Sequence, residues 1–242
     1  MHSRTLPLIR WLSLMCVSAA LLAGCGSSSS TSSSSSSSGN GLASKSPEQI
    51  VAAAKAASEG AATVHISGSV IAEGKPISLD MELVAGKGAK GHLTLEGNGL
   101  DIVEVEHAFY INGSTAFYTH IAGAAAAQLL QGKWLKASTT GKEFASFAEL
   151  TNLGKLLASS LGSHGKLASA GTATIDGQPA VGVTDTQKGG TLYVASTGTP
   201  YPLQISKGGG GSGTITFDRW NQPVTLTAPP NPINVNQLQS GK

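Results

Sequence analysis

The stretch VHISGSVIAEGKPISLDMELVAGKGAKGHLTLEGNGLDI, residues 64–102, decides the fold. Val64, Ile66, Gly68 and Val70 alternate with His65, Ser67 and Ser69. After a turn at 73–76, Ile77, Leu79, Met81 and Leu83 alternate with Ser78, Asp80 and Glu82. A period of two in successive runs marks antiparallel strands with one apolar and one wet face. Gly86-Lys87-Gly88 turns into a third run, where Leu93 and Leu95 alternate with His92, Thr94 and Glu96. Asn98-Gly99 reads as the hairpin turn into Leu100 and Ile102. Alternation slips at 103–105, which predicts a bulge or bend before a strand near 109–111 and a second turn at Asn112-Gly113.

Outward from this meander, the preceding segment is a helix by its start signal. Ser46-Pro47-Glu48-Gln49 offers a capping hydroxyl, a proline at N1 and a glutamine at N3, and Ile50, Val51, Ala54 and Ala57 recur at helical spacing before Gly60. After the meander, Phe117, Ile121, Ala124, Ala125, Leu129 and Leu130 share a predicted helix ending near Gly132, and residues 133–136 form a short strand. A wide apolar stripe, Phe144, Phe147, Leu150, Leu153, Leu156, Leu157 and Leu161, predicts another helix. Strands return at 166–175, 180–185, 191–195, 201–206, 214–217 and 224–227, and Pro229, Pro230 and Pro232 close the fold. About ten strands with helices and no repeated βαβ unit read as α+β with a large antiparallel sheet. So many strands in a glycine-rich chain favour strong curvature. Helices covering the concave face would leave an apolar hollow suited to a small molecule or lipid.

Arg4 and Arg10 precede or bound an apolar run at 11–22, too short to span about 30 Å of hydrocarbon, which ends in Leu22-Ala23-Gly24-Cys25. Basic, apolar, small-residue and cysteine elements in this order resemble the bacterial lipobox, which implies cleavage after Gly24 and a diacylglyceryl thioether on Cys25. Residues 1–24 are accordingly expected to be a signal peptide and 25–45 a lipidated cysteine with a Ser/Gly-rich tether. Residues 46–228 are the folded domain and 229–242 a proline-rich, loosely held tail. Cys16 leaves with the leader, so no thiol remains for a disulfide, a metal site or a nucleophile. Removing 1–24 takes two arginines and no acid, and the remaining 14 basic and 14 acidic side chains cancel. A neutral body is not drawn to anionic headgroups, so acyl chains must anchor it.

The 242 residues fit one ordinary domain beyond the leader. A net charge of +2 with 5% aromatics leaves neither a basic stripe nor a set of stacking rings for nucleic acid. Gly208, Gly210 and Gly213 match G-x-G-x-x-G, but a strand follows where phosphate binding needs a helix. Ser163 and Lys166 match S-x-x-K without the partner motifs of that chemistry. His65, His92, His107, His120 and His164 hold no i, i+2 or i, i+4 spacing for a metal. His65 and His92 fall on the wet face beside Asp80 and Glu82, as ordinary exposed histidines. The expectation is no enzyme, no catalytic residue, no metal and no cofactor.

The order of signal peptide, lipobox, Ser/Gly tether, short helix, Val-His-Ile strand, meander, central helices and closing hairpins is similar to the LppX/LprG type of mycobacterial and actinobacterial lipoproteins. Residues 86–95, 117–135 and 190–203 carry most of the likeness, which spans 46–228. The resemblance implies a LolA/LolB-like half-barrel whose concave side is covered by helices and holds a lipid or glycolipid. With the lipobox, it places the protein on the outer face of the cytoplasmic membrane, anchored through Cys25; a monomer is expected. It supplies no pocket motif, so the cavity wall is read from the strands and helices. Val64, Ile66, Ile77, Leu79, Met81, Leu83, Leu93 and Leu95 form one side, and Phe117, Ile121, Phe144, Phe147 and Leu157 the other. Acyl binding there would be driven by apolar area, at about 25 cal/mol per Å². The alternative is an envelope interaction or sensor module of the same fold with a packed, ligand-free core.

Overall fold

The computed structural model of the chain describes residues 39–72, 74–139, 151–162, 164–207 and 212–235. They lie within a compact unit spanning 37–242. A 3-10 turn at Leu42–Ser44 precedes α1 (Pro47–Glu59). The first meander comprises β1 (Thr63–Ala72), β2 (Lys75–Val84), β3 (Gly88–Leu95), β4 (Asn98–Val105) and β5 (Ala108–Gly113). Then come α2 (Thr115–Leu130), β6 (Leu135–Ser138) and α3 (Leu153–Gly162). The last third holds β7 (Leu167–Ile175), β8 (Gln178–Asp185), β9 (Thr191–Ala195), β10 (Pro202–Lys207), β11 (Gly213–Asp218) and β12 (Ile233–Asn234).

Among the described residues, twelve strands form one sheet in the order β12-β6-β5-β4-β3-β2-β1-β11-β10-β9-β8-β7. Two meanders explain that order. β1 to β6 stand side by side in chain order, β7 to β11 do the same, and antiparallel pairing of β1 with β11 joins them. β12 adds in parallel to β6, so the sheet is mixed rather than purely antiparallel, with β7 and β12 at its open edges. The fold is α+β with an open, curved sheet, of twelve strands rather than about ten.

The apolar residues of the sheet meet helices in two cores. In the first, Val64 and Ile66 of β1, Met81 and Leu83 of β2, and Ile102 and Phe109 of β4 and β5 pack with Phe117 and Tyr118 of α2 and with Leu153 and Leu157 of α3. Each such side chain contributes about 1.5–3 kcal/mol when fully buried. In the second core, Ile50, Val51 and Ala54 of α1, with Leu42, cover Val181, Val183, Leu192 and Val194. Ile205 packs against both and joins them. α1 opens on the expected capping box: Ser46 Oγ accepts the Gln49 N–H at 3.3 Å and Gln49 Oε1 accepts the Ser46 N–H at 3.1 Å. Residues before Ser46 also pack on the body. Leu42 is buried, and the Asn40 amide donates to the Ala195 and Gly198 carbonyls at 2.9 and 3.0 Å.

Several local readings change. The β3–β4 hairpin turns at Glu96-Gly97, with φ of 51° and 82°, because Leu95 pairs with Asn98; Asn98-Gly99, the expected turn, opens β4. Asn112-Gly113 ends β5 instead of turning. The slip at 103–105 is no bulge, since β4 keeps continuous register with β3 and β5. The pattern breaks because Glu104 takes the inward position that follows Leu100 and Ile102 in the alternation. Residues 224–227 join no ladder, and the chain pairs further on, at β12. The stripe read across α2 is interrupted at Gly123, at φ 85° and ψ 166°, and on either side Ile121 and Leu129 stand 57% and 77% exposed. A broken helix does not continue the 3.6-residue repeat on which that stripe was read. Residues 140–150, with Phe144 and Phe147, lie outside the described residues.

Candidate functional site

Strand register assembles the site. Val64 pairs with Leu83, Ile66 with Met81, Leu79 with Leu93 and Ile77 with Leu95. Side chains on one face recur every second residue, so all the strand residues expected in the wall lie on the inner face. Burial along that face is graded. Val64, Ile66, Met81, Leu83 and Leu93 are sealed, at no more than 1% exposure. Ile77, Leu79 and Leu95, at the opposite end of the same strands, are half-buried. Phe117 and Leu157 close the sealed part from the helices. Ile121 does not join that core and stands 57% exposed. Phe144, Phe147 and Cys25 are outside the described residues.

Tyr118 locks α2 onto this face. Its hydroxyl accepts the Gly113 N–H at 3.0 Å, and burial pushes the phenol pKa up. At the sealed end of the strands lies a cavity of about 600 Å³, bounded by Val84, Gly88, Glu104, His107, Thr151 and Leu226. That volume is in the range of small-ligand pockets. Glu104 Oε2 is buried with no hydrogen-bond partner among the described residues. An unpaired buried carboxylate oxygen is costly, so this corner favours a donor group. The wall prediction missed Glu104; its only trace in the sequence is the interrupted alternation at 103–105.

The outer face carries the charges. His65 stands on the wet side of β1 as predicted, yet it is only 7% exposed, because carboxylates from both neighbouring strands cover it. Its Nδ1 bonds Asp218 and its Nε2 bonds Asp80 Oδ1 at 3.0 Å. Beside it Glu82 pairs with Lys90 at 3.2 Å and Arg219 at 3.3 Å, and His92 Nδ1 lies 2.8 Å from Asp101. With both ring nitrogens committed, His65 has none to offer a substrate as a base. Among the described residues no group of three or more His, Cys, Asp or Glu is placed to hold a metal. The inner face offers mainly apolar surface, with the Glu104 carboxylate at one corner.

No protein-family model and no curated protein matches the sequence. Solved structures do. LprF from Mycobacterium bovis aligns with a TM-score of 0.54 at 15% identity, over 76% of this chain and 96% of that one. The Mycobacterium tuberculosis lipoprotein LppX aligns with a TM-score of 0.51 at 19% identity, over 74% of this chain and 99% of that one. At such identities the likeness is one of architecture, and the chain has the fold of LprF and LppX.

Proposed function

We propose that the protein is an exported lipoprotein, anchored through Cys25, that carries a lipid or glycolipid against the concave apolar face of its sheet. The burial gradient on that face carries the reading. Met81 and Leu83 are sealed while Ile77, Leu79 and Leu95, no less apolar, stay half-buried. Covering apolar surface gains about 25 cal/mol per Å², so an unfinished apolar wall inside a curved sheet is a place for an acyl chain. The fold shared with LprF and with the lipoprotein LppX supports the reading, as does the lipobox order of Leu22-Ala23-Gly24-Cys25. With residues 1–24 removed, the Ser/Gly-rich stretch 25–38 would give the body a reach of roughly 20 Å from the outer face of the cytoplasmic membrane. Binding is non-covalent, by a monomer, and calls on no catalytic residue, metal or cofactor.

The sealed part of the face favours a second reading, an envelope interaction or sensor module with a packed core. Native mass spectrometry with lipid extraction, on the chain carrying Cys25→Ser and produced in an actinobacterial host, separates the two. A stoichiometric lipid supports carriage. A folded, lipid-free chain that refuses added acyl ligands overturns it.

A further inference from the structure

The cavity of about 600 Å³ at the sealed end of the strands lies apart from the open end of the apolar wall. Met81, Leu83 and Leu93, sealed in the first core, stand between it and the half-buried Ile77, Leu79 and Leu95. What this cavity holds is therefore a question separate from lipid carriage.

Glu104 sets its chemistry. Register puts Glu104 opposite Ala89 on β3 and Phe109 on β5, and Ala89 in turn opposite Leu83 on β2. All three neighbours are 0% exposed, so a carboxylate stands in the row of side chains that seals the core. Its Oε2 is buried with no hydrogen-bond partner among the described residues. Lys87 is the one lysine among the described lining residues. It stands exposed on the β2–β3 turn, its N–H on the Val84 carbonyl at 3.0 Å, and makes no bond to that oxygen. The Asn152 side-chain oxygen accepts the Lys155 N–H at 2.9 Å, and Glu106 and His107 are exposed. Another wall is apolar: Val224 and Leu226, half-buried, belong to an extended segment that joins no ladder. A carboxylate oxygen only accepts, and its charge costs more to bury than a missing hydrogen bond. A hydroxyl would supply the bond and leave the charge, an anion would be repelled, and an ammonium supplies both the donor and the countercharge.

We propose that this cavity binds a small organic cation, a primary amine on an apolar body, with its ammonium on Glu104 and its body against Val84, Val224 and Leu226. The volume suits a ligand of that class. The inference does not rest on the lipid-carrying reading and adds a second site to the fold.

Titration followed by amide NMR shifts tests it, using the full chain with Cys25→Ser against three probes of nearly equal size: 2-phenylethylamine, 2-phenylethanol and phenylacetate. The amine is expected to bind about tenfold or more tighter than the alcohol, the scale of a charge-assisted hydrogen bond, with phenylacetate weakest. The shifts should centre on Gly88, Glu104 and Leu226. Glu104→Gln keeps the shape and removes the buried charge, so it should melt no lower than the parent while the amine-to-alcohol ratio falls toward one. Leu226→Arg, which puts a guanidinium of the chain itself into the cavity, is expected to abolish amine binding with Glu104 still in place. Equal affinity for amine and alcohol, a ratio untouched by Glu104→Gln, or shifts confined to Ile77, Leu79 and Leu95 overturns the proposal. Failure of all three probes to bind also overturns it and assigns the corner to water. Each of these failures leaves lipid carriage standing.

Discussion

His65 on β1 bonds Asp218 on β11 across the pairing that joins the two meanders of the sheet. The partners are 153 residues apart in the chain, and the bond lies under a buried imidazole whose other nitrogen meets Asp80. Losing Asp218 would leave one face of that ring without its acceptor at the seam. We expect Asp218→Ala to lower unfolding free energy by about 1–3 kcal/mol, the cost of stranding a buried polar group. Asp80, largely exposed, should cost about 1 kcal/mol or less. Urea denaturation of the two variants and of His65→Ala checks this; equal effects of Asp218→Ala and Asp80→Ala would contradict the asymmetry.

The seam was invisible in the sequence because nothing local links residues 65 and 218, whereas each meander was legible from its alternation. Glycine at the second position of a two-residue loop makes the turn at Asp176-Gly177, with φ of 47° and 80°. Turn signals misled where a stronger one stood two residues away: Asn98-Gly99 is the better turn pair, yet pairing of Leu95 with Asn98 placed the turn at Glu96-Gly97. Glu106-His107 adopts the same positive-φ pair, at 53° and 59°, with neither asparagine nor glycine to announce it. For the candidate site, the shared face of the strand residues followed from the period of two. In the helical half, Phe117 and Leu157 join the first core, whereas Ile121 is exposed, and Gly123 breaks the repeat between it and Leu129. Glu104, a polar residue at an inward position, lines the cavity at the end of the strands.

Gly68 makes the seam possible. It lies on the inner face of β1 at φ 145°, and a Cβ there would overlap the Thr214 carbonyl of β11. Gly68→Ala must strain that residue or part the two strands, at about 1–3 kcal/mol. Ser69→Ala, next to it on the exposed face, should change stability by no more than about 0.5 kcal/mol. Thermal unfolding of the pair decides the matter, and a neutral Gly68→Ala would refute the close approach.

Asp185 gives the β8–β9 loop an acid-sensitive anchor. Its folded pKa is lowered from 3.8 to about 2 by the backbone N–H groups it accepts. A depressed carboxylate contributes stability that is in place above its unfolded pKa and is lost as pH falls through the folded value. Amide protection at Gly165, Gln187 and Lys188 should therefore persist at pH 5 and decline between about pH 4 and 2. Asp185→Asn should lower it already at pH 5. Protection factors from hydrogen exchange, corrected for intrinsic rates, provide the comparison, and unchanged values in the variant at pH 5 would exclude the anchor.

The graded inner face makes stability and ligand binding separable, because its two ends face different environments. Met81 is sealed in the core, so Met81→Ala should cost about 2–5 kcal/mol of stability. Leu79 and Leu95 are only half-buried, so Leu79→Asn and Leu95→Asn should leave the chain folded while removing apolar surface from the open end of the wall. Losing roughly half of a leucine's transfer free energy corresponds to about 1 kcal/mol, a several-fold loss of acyl-ligand affinity for each variant. Asp80→Ala, on the opposite face of the same strand, should leave that affinity unchanged. Titration of monolaurin against the three variants, with circular dichroism as the check on folding, reads the difference. If Asp80→Ala and Leu79→Asn lower affinity equally, the ligand does not lie on the inner face. If Leu79→Asn and Leu95→Asn have no effect while the chain binds monolaurin, the half-buried end is a solvated rim and the ligand enters elsewhere.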